Sequence, residues 1–236
     1  MNVLVDYDNV PRDIRARGLS NLAERILYKI GFSVIKDFQR IKFRLYGGWY
    51  EHANITRSAQ RLRSEISSTF PNRISLLDGP NSHSLIGNVE LAMSLEIDPG
   101  KHLFNTYRRR RLPQGITCNH PTAINCIEPH CPIIPMHDFI TNNSCPVNSC
   151  RIKPADFLQK DEQKLVDTML TADIIQLAKT GISPICIVTS DDDLWPGIQM
   201  AISSGATVIH IHPIPGINTP PHYHRHVGHS YSQRAL

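Results

Sequence analysis

No uninterrupted apolar run in the chain approaches the roughly 20 residues that a membrane-crossing helix needs. Nor does a basic segment followed by an apolar one open it in the manner of a secretory leader. A cytoplasmic protein with no membrane partner is expected. Charge is also sparse: Asp, Glu, Lys and Arg make up 19% of 236 residues, and their balance leaves only +4. That excess permits an acidic partner such as nucleic acid without demanding one. Cysteine is nearly missing from most of the chain, since five of the six lie between Cys118 and Cys150 and only Cys186 lies elsewhere. Without an export signal, such a cluster favours metal ligation over disulfides. Hydrophobic residues, at 41%, exclude a disordered composition and are enough for a substantial core.

Those apolar residues recur in alternating blocks. Asn2 to Asp6 reads as a short buried strand, and Leu19, Leu22, Ile26, Leu27 and Ile30 have the spacing of a helix stopped at Gly31. Ile41 to Tyr46 alternates like a strand, Thr56 to Phe70 reads as a helix, and Ile74 to Leu77 and Val89 to Ile97 are further strand candidates. Later, Lys160 to Lys179 carries an apolar stripe at helical spacing that ends at Gly181, followed by a β-branched strand, Ile185 to Thr189, and the strand ATVIHI. Strands separated by helices imply an α/β fold: a mainly parallel sheet flanked by helices on both faces. Residues 1–98 and 154–212 would form this domain. Residues 99–153, rich in Pro, Asn, Cys and His, are too long for an ordinary loop and read as an inserted module. The Pro- and His-rich stretch 213–236 has no periodic apolar face and reads as a flexible tail.

Two strands release acids where they end. VLVDYDNV places Asp6 and Asp8 after the first strand, and IVTSDDDLW places Asp191 and Asp193 after a later one. In a parallel sheet both ends share one edge, which is where ligands gather in this architecture. Asp167, early in the helix that feeds the second strand, can start near the same edge. Carboxylates packed together repel and acquire raised pKa values unless a cation sits among them. Hard oxygen ligands of this kind suit Mg²⁺ or Mn²⁺. The competing reading makes them helix caps or solvated turn residues.

VLVDYDNV, KLVDTMLTADIIQLA and IVTSDDDLWPGI, taken in order, resemble the NYN domain of the PIN-like nuclease superfamily, including its LabA-like branch. The likeness covers most of the chain outside 99–153. Asp6 and Asn9 match the family's first-strand Asp and nearby Asn, and Lys164 to Asp167 match its Lys-Gly-Val-Asp helix start. Ser190 to Leu194 match its Ser-Asp-x-Asp-hydrophobic turn, and Asp173 falls on its second helix aspartate. Leu165 stands where the family usually has Gly and Leu194 where Phe is frequent. The resemblance implies a PIN-like three-layer sandwich and metal-dependent hydrolysis of a phosphodiester, most often in RNA. Asp6, Asp8, Asp167, Asp191 and Asp193 would hold Mg²⁺ or Mn²⁺, with Asn9 and Ser190 orienting ligands or water. Asp173, about 120° around the helix from Asp167, need not share the ion.

A nuclease must also hold a polyanion. Arg57 and Arg61 lie four apart on a predicted helix with Arg63 nearby, Arg40, Lys42 and Arg44 alternate along a strand, and Lys164 opens the acid-bearing helix. Arg108, Arg109, Arg110 and Arg111 form the densest basic run. Each is equally readable as a solvated face. Tyr46, Trp49 and Tyr50 could stack an unpaired base or pack in the core. In the insertion, CIEPHC and CPVNSC repeat Cys-x₄-Cys. The repeat suggests a structural Zn²⁺ held by Cys126, Cys131, Cys145 and Cys150, with Cys118, His120, His130 and His137 as exchangeable ligands or reduced surface thiols as the alternative. Cys186, inside a strand, reads as core.

Two other functions fit parts of the sequence. DYDNV matches the Asp-x-Asp signature of haloacid-dehalogenase-like phosphatases, in which Asp6 would be the nucleophile and Asp8 a general acid. However, the second strand ends RLYGG, without the Ser or Thr such enzymes use. A non-catalytic RNA-binding adaptor on a PIN-like scaffold is the other.

Overall fold

The computed structural model describes residues 1–111, 117–128 and 130–236, without the side chains at 109–111, 159 and 161. They gather into two compact units, 1–107 with 163–236 and 108–162. The boundary differs from the expected insertion at both ends. Residues 99–107 belong with the first unit, where Asp98–His102 pairs back on Ser94–Leu95, and 154–162 belong with the second.

The first unit is a mixed α/β structure built on a mainly parallel sheet. Strands β1 (Asn2–Asp6), β2 (Arg40–Tyr46), β3 (Asn72–Asp78), β4 (Asn81–Leu91), β5 (Ile185–Val188), β6 (Val208–His212) and β7 (Tyr231–Ala235) lie in the order β7-β6-β5-β1-β2-β4-β3. All neighbours run parallel except β3, which is antiparallel to β4. The connections move outward from β1 in one direction through β2 and β4. They then return to its other side through β5, β6 and β7. Between β1 and β5 the winding reverses, and in open α/β sheets such a switch point is where ligands bind, beyond the carboxyl ends of the strands.

Side-chain alternation divides the core between the two faces. Val3 and Val5 of β1 pack with helices α1 (Leu19–Ile30) and α2 (Arg57–Thr69), while Leu4 packs with α3 (Val166–Lys179) and α4 (Trp195–Ser203). On α1 the buried residues Leu19, Leu22, Ala23, Ile26, Leu27 and Ile30 form one helical stripe. Its first turn has no cap of its own, and Glu65 of α2 supplies one by accepting from the Leu19 N–H at 2.6 Å. Gly197 of α4 lets the two helices of the other face close up, because a Cβ there would lie 2.9 Å from the Thr171 methyl. No helix of the described residues is long and apolar enough to cross a membrane.

Three sequence expectations need correction. The helix read over Lys160–Lys179 begins only at Val166, and Gln159–Gln163 is a strand. The polar run KDEQK offers no apolar stripe to hold a helix against a core, so its backbone takes a ladder instead. The strand placed at Val89–Ile97 runs from Asn81 to Leu91, because it folds back on β3 across a two-residue turn that sets Asp78 opposite Asn81.

The stretch 213–236 is not a structureless tail, since Tyr231–Ala235 extends the sheet in parallel register with Val208–His212. Three contacts substitute for an apolar face. Tyr231 is buried and its hydroxyl bonds His210 Nδ1 at 2.8 Å, and Arg234 donates to the Lys29 and Ile30 carbonyls that end α1. Deleting residues 213–236 is therefore expected to lower the urea midpoint of the chain, whereas removal of a solvated tail would leave it unchanged.

The second unit contains most of the paired strands Tyr107–Arg111 and Gln159–Gln163, whose first and last residues, Tyr107 and Gln163, belong to the first unit, and a helix Ile133–Thr141. An apolar cavity of about 320 Å³ in it is walled by Met136, Phe139, Cys145, Cys150 and Phe157, among others.

Candidate functional site

Parallel pairing sets the geometry of the rim. Val5 of β1 lies opposite Val188 of β5, so the residues that follow, Asp6 and Thr189, emerge side by side. Asp6 is only 1% exposed. Its carboxylate accepts from the Asn9 side chain, from the Asn9 N–H at 3.4 Å and from Thr189 Oγ1 at 3.2 Å. Burial pushes its pKa up to about 6; the Asn9 bond opposes the rise, and the charges of Asp167 and Asp8 add to it.

Thr189 ties the two strand ends together. Its hydroxyl also accepts from the Asp191 N–H at 3.1 Å, and Asp191 Oδ1 in turn accepts from the Asp193 N–H at 2.9 Å. Across from this turn stands Asp167, in the first turn of α3, whose pKa is raised by burial and then by the charges of Asp191 and Asp193. Ser190 Oγ accepts from the Ile214 N–H at 3.1 Å and so anchors the chain that follows β6. The structure brings Asp6, Asn9, Asp167, Ser190, Asp191 and Asp193 to one rim.

Asp8 is nearby but committed elsewhere. One oxygen pairs with Arg15 at 3.2 Å, and the other accepts from the Gly48 N–H at 3.2 Å and from the Gln163 side chain. Gly47 permits that approach, since a Cβ there would meet Asp8 Oδ2 at 2.9 Å. Asp173 is fully buried six residues along α3, where it accepts from Tyr46 Oη at 2.6 Å, Arg44 Nε at 3.1 Å and the Glu96 N–H at 2.8 Å. The two helix aspartates therefore serve different places.

The basic and aromatic candidates divide as well. Arg57, Arg61, Arg63, Arg108 and Lys164 are exposed, while the side chains of Arg109, Arg110 and Arg111 lie outside the described residues. Arg44 is a correction: it is buried and pairs with Asp173, Glu90 and Glu96, and Lys42 pairs with Glu90 and Glu96. Of that strand's alternating cations, only Arg40 is both exposed and free of a side-chain ion pair among the described residues. Tyr46, Trp49 and Tyr50 are core.

All six cysteines are free thiols, and Cys145 and Cys150 share a cavity whose walls include neither Cys126 nor Cys131. Among the described residues, no group of three or more His, Cys, Asp or Glu side chains is arranged to hold a metal ion. The rim nonetheless suits a hard divalent cation by chemistry, because the donors it offers, Asp6, Asp167, Asp191 and Asp193, are carboxylate oxygens.

Comparison with known proteins adds nothing to this geometry. No family model matches the chain, and no curated protein or solved structure does either.

Sequence reasoning missed Thr189, Arg15, Gln163 and His210. His210 Nε2 bonds the Thr189 carbonyl at 3.1 Å, and burial followed by the neighbouring His212 lowers its pKa to about 3, so it holds that strand end as a neutral ring. The TS pair before the aspartates was the one available signal.

Leu165, just before α3, adopts a left-handed backbone with φ of 67° while the residue is 47% exposed. That conformation costs a non-glycine residue roughly 1–2 kcal/mol. Leu165→Gly is expected to raise stability by up to about 1 kcal/mol, since glycine's greater unfolded-state freedom offsets part of the relief; the urea midpoint measures it.

The raised pKa of Asp6 has a definite sign. Its folded-state value of about 6 lies above the ordinary 3.8, so its contribution is intact below pH 4 and fades as pH rises through 6. In metal-free protein, Asp6→Asn should raise the urea midpoint more at pH 8 than at pH 4. Equal shifts at both would refute the assignment.

Proposed function

We propose that the chain is a metal-dependent nuclease of PIN-like, NYN-type architecture that hydrolyses phosphodiester bonds, RNA foremost, at the rim where β1 and β5 end. The observation that carries this reading is the convergence of Asp6, Asp167, Asp191 and Asp193 from three separated stretches of chain, with the pKa values of Asp6 and Asp167 raised first by burial and further by neighbouring carboxylates. A second observation supports the family likeness: the position where the family usually has Gly is the one at which Leu165 adopts a left-handed backbone.

Asp6, Asp167, Asp191 and Asp193 would hold one or two Mg²⁺ or Mn²⁺ ions. The ion, when bound, activates water and offsets the charge that builds on the phosphoryl oxygens. The chain's own residues prepare the place. Asn9 and Thr189 fix the Asp6 carboxylate, the Asp193 N–H orients Asp191, and Ser190 anchors the turn between them. Arg57, Arg61, Arg108 and Lys164, all exposed, are the candidate contacts for phosphate, with Arg109, Arg110 and Arg111 extending the same basic run. Asp8, engaged by Arg15, Gly48 and Gln163, ranks last among the metal ligands. Structural zinc in the cysteine-rich unit rests on the Cys-x₄-Cys spacing alone.

The phosphatase reading is weaker. A buried carboxylate can face an ion through one oxygen, but a nucleophile needs an open line of attack, and Asp6 is 1% exposed with hydrogen bonds to both oxygens.

With Mn²⁺ or Mg²⁺ the protein is expected to cleave single-stranded RNA, and Asp191→Asn is expected to lower the rate by at least about 100-fold, as loss of a metal-positioning carboxylate does. Mn²⁺ should also raise the melting temperature of the parent chain more than that of the variant. Phosphate release from a chromogenic monoester would favour the phosphatase. RNA binding without cleavage, equal in both proteins, would favour the adaptor.

A further inference from the structure

At the far side of the sheet from β7, strand β3 is outermost among the described residues. One edge pairs with β4 from Asn72 to Asp78 without a break in register, and the other presents its backbone donors and acceptors outward. Exposed edges are usually blunted by proline, lysine, a bulge or a covering segment. Between Asn72 and Asp78 there is neither proline nor lysine.

Alongside this edge, α1 and β3 enclose two adjoining depressions of about 360 and 530 Å³ that share Tyr28, Leu76 and Leu77. Tyr28 is 73% exposed and Leu77 75%. An open strand edge beside an exposed aromatic and aliphatic pair calls for an occupant that brings backbone and apolar surface.

The strand itself has the composition of such an occupant. Arg73 stands near its start and Asp78 at its end, so antiparallel self-pairing sets each positive end beside the other copy's negative end, whereas parallel pairing would stack like charges. A twofold axis at Ser75 places Ile74 of one copy opposite Leu76 of the other. Both residues belong to the core layer beneath α1, and that apolar layer would continue across the junction.

We propose that β3 is the interface through which two copies of this chain join edge to edge, forming one continuous sheet across a twofold axis at Ser75. The inference does not depend on the nuclease reading, since it uses none of the rim residues.

Sedimentation equilibrium of the full chain tests it. The parent protein should associate as a dimer at concentrations up to about 100 μM. Leu77→Lys and Tyr28→Glu, both at exposed side chains, should each weaken the dimer by at least about 10-fold with no fall in melting temperature. Under mild oxidation, Ser75→Cys should give a disulfide-linked peptide joining position 75 of the two copies, identified by mass spectrometry. A chain that stays monomeric across that range overturns the proposal, as does a dimer whose affinity neither substitution changes. A dimer in which Ser75→Cys never links to itself overturns the twofold register.

Discussion

The parallel pairing of β1 with β5 is the constraint on which the rest of the structure depends. Both strands are buried on both faces, so their side chains cannot exchange sides without turning an apolar core outward. Register is therefore fixed, and with Val5 held opposite Val188 the next residues must leave the sheet together. Asp6 and the turn carrying Asp191 and Asp193 are neighbours for that reason, although more than 180 residues separate Asp6 from Thr189 along the chain. Thr189 turns this adjacency into a bonded unit by donating to Asp6 and accepting from the Asp191 N–H.

A second buried interaction sets the remaining element. Asp173 of α3 is locked to β2 through Tyr46 and Arg44 and to the chain after β4 through the Glu96 N–H. Arg44 is held in addition by Glu90 and by the Ser94 carbonyl. Buried ions are costly unless their partners satisfy them, so such a network specifies one docking of the helix more than it adds stability. The same docking carries Asp167, at the other end of the helix, to the rim. Two aspartates of one helix, read together in the sequence, thus do different work: one holds the helix down and the other stands at the rim.

How much of this was legible follows from where the free energy lies. The strands Asn2–Asp6, Arg40–Tyr46 and Ile185–Val188 and helices α1 and α2 are held by apolar periodicity, and that periodicity is written in the sequence. Strand β7 is held by backbone pairing, one tyrosine and an arginine that reaches the end of α1, and none of these leaves a pattern along the chain. The same holds for Gln159–Gln163. At the rim, the aspartates were legible as residues at strand ends, but Asp8's capture by Arg15 and Gln163 depends on tertiary approach. Leu165 is intermediate, since the family resemblance marks its position and only the backbone angle explains why glycine is usual there.

Neutralisation of the acids is selective, and the selection has a direction. Among the described residues, ion pairs reach Asp8 from Arg15 and the buried Asp173 from Arg44, but none reaches Asp6, Asp167, Asp191 or Asp193. The basic side chains Arg15 and Arg44 are spent on Asp8 and Asp173 instead. Among the described residues, the four carboxylates at the ends of β1 and β5 and at the start of α3 are thereby left without a cation beside them. The carboxylates that anchor the structure meanwhile keep their internal partners.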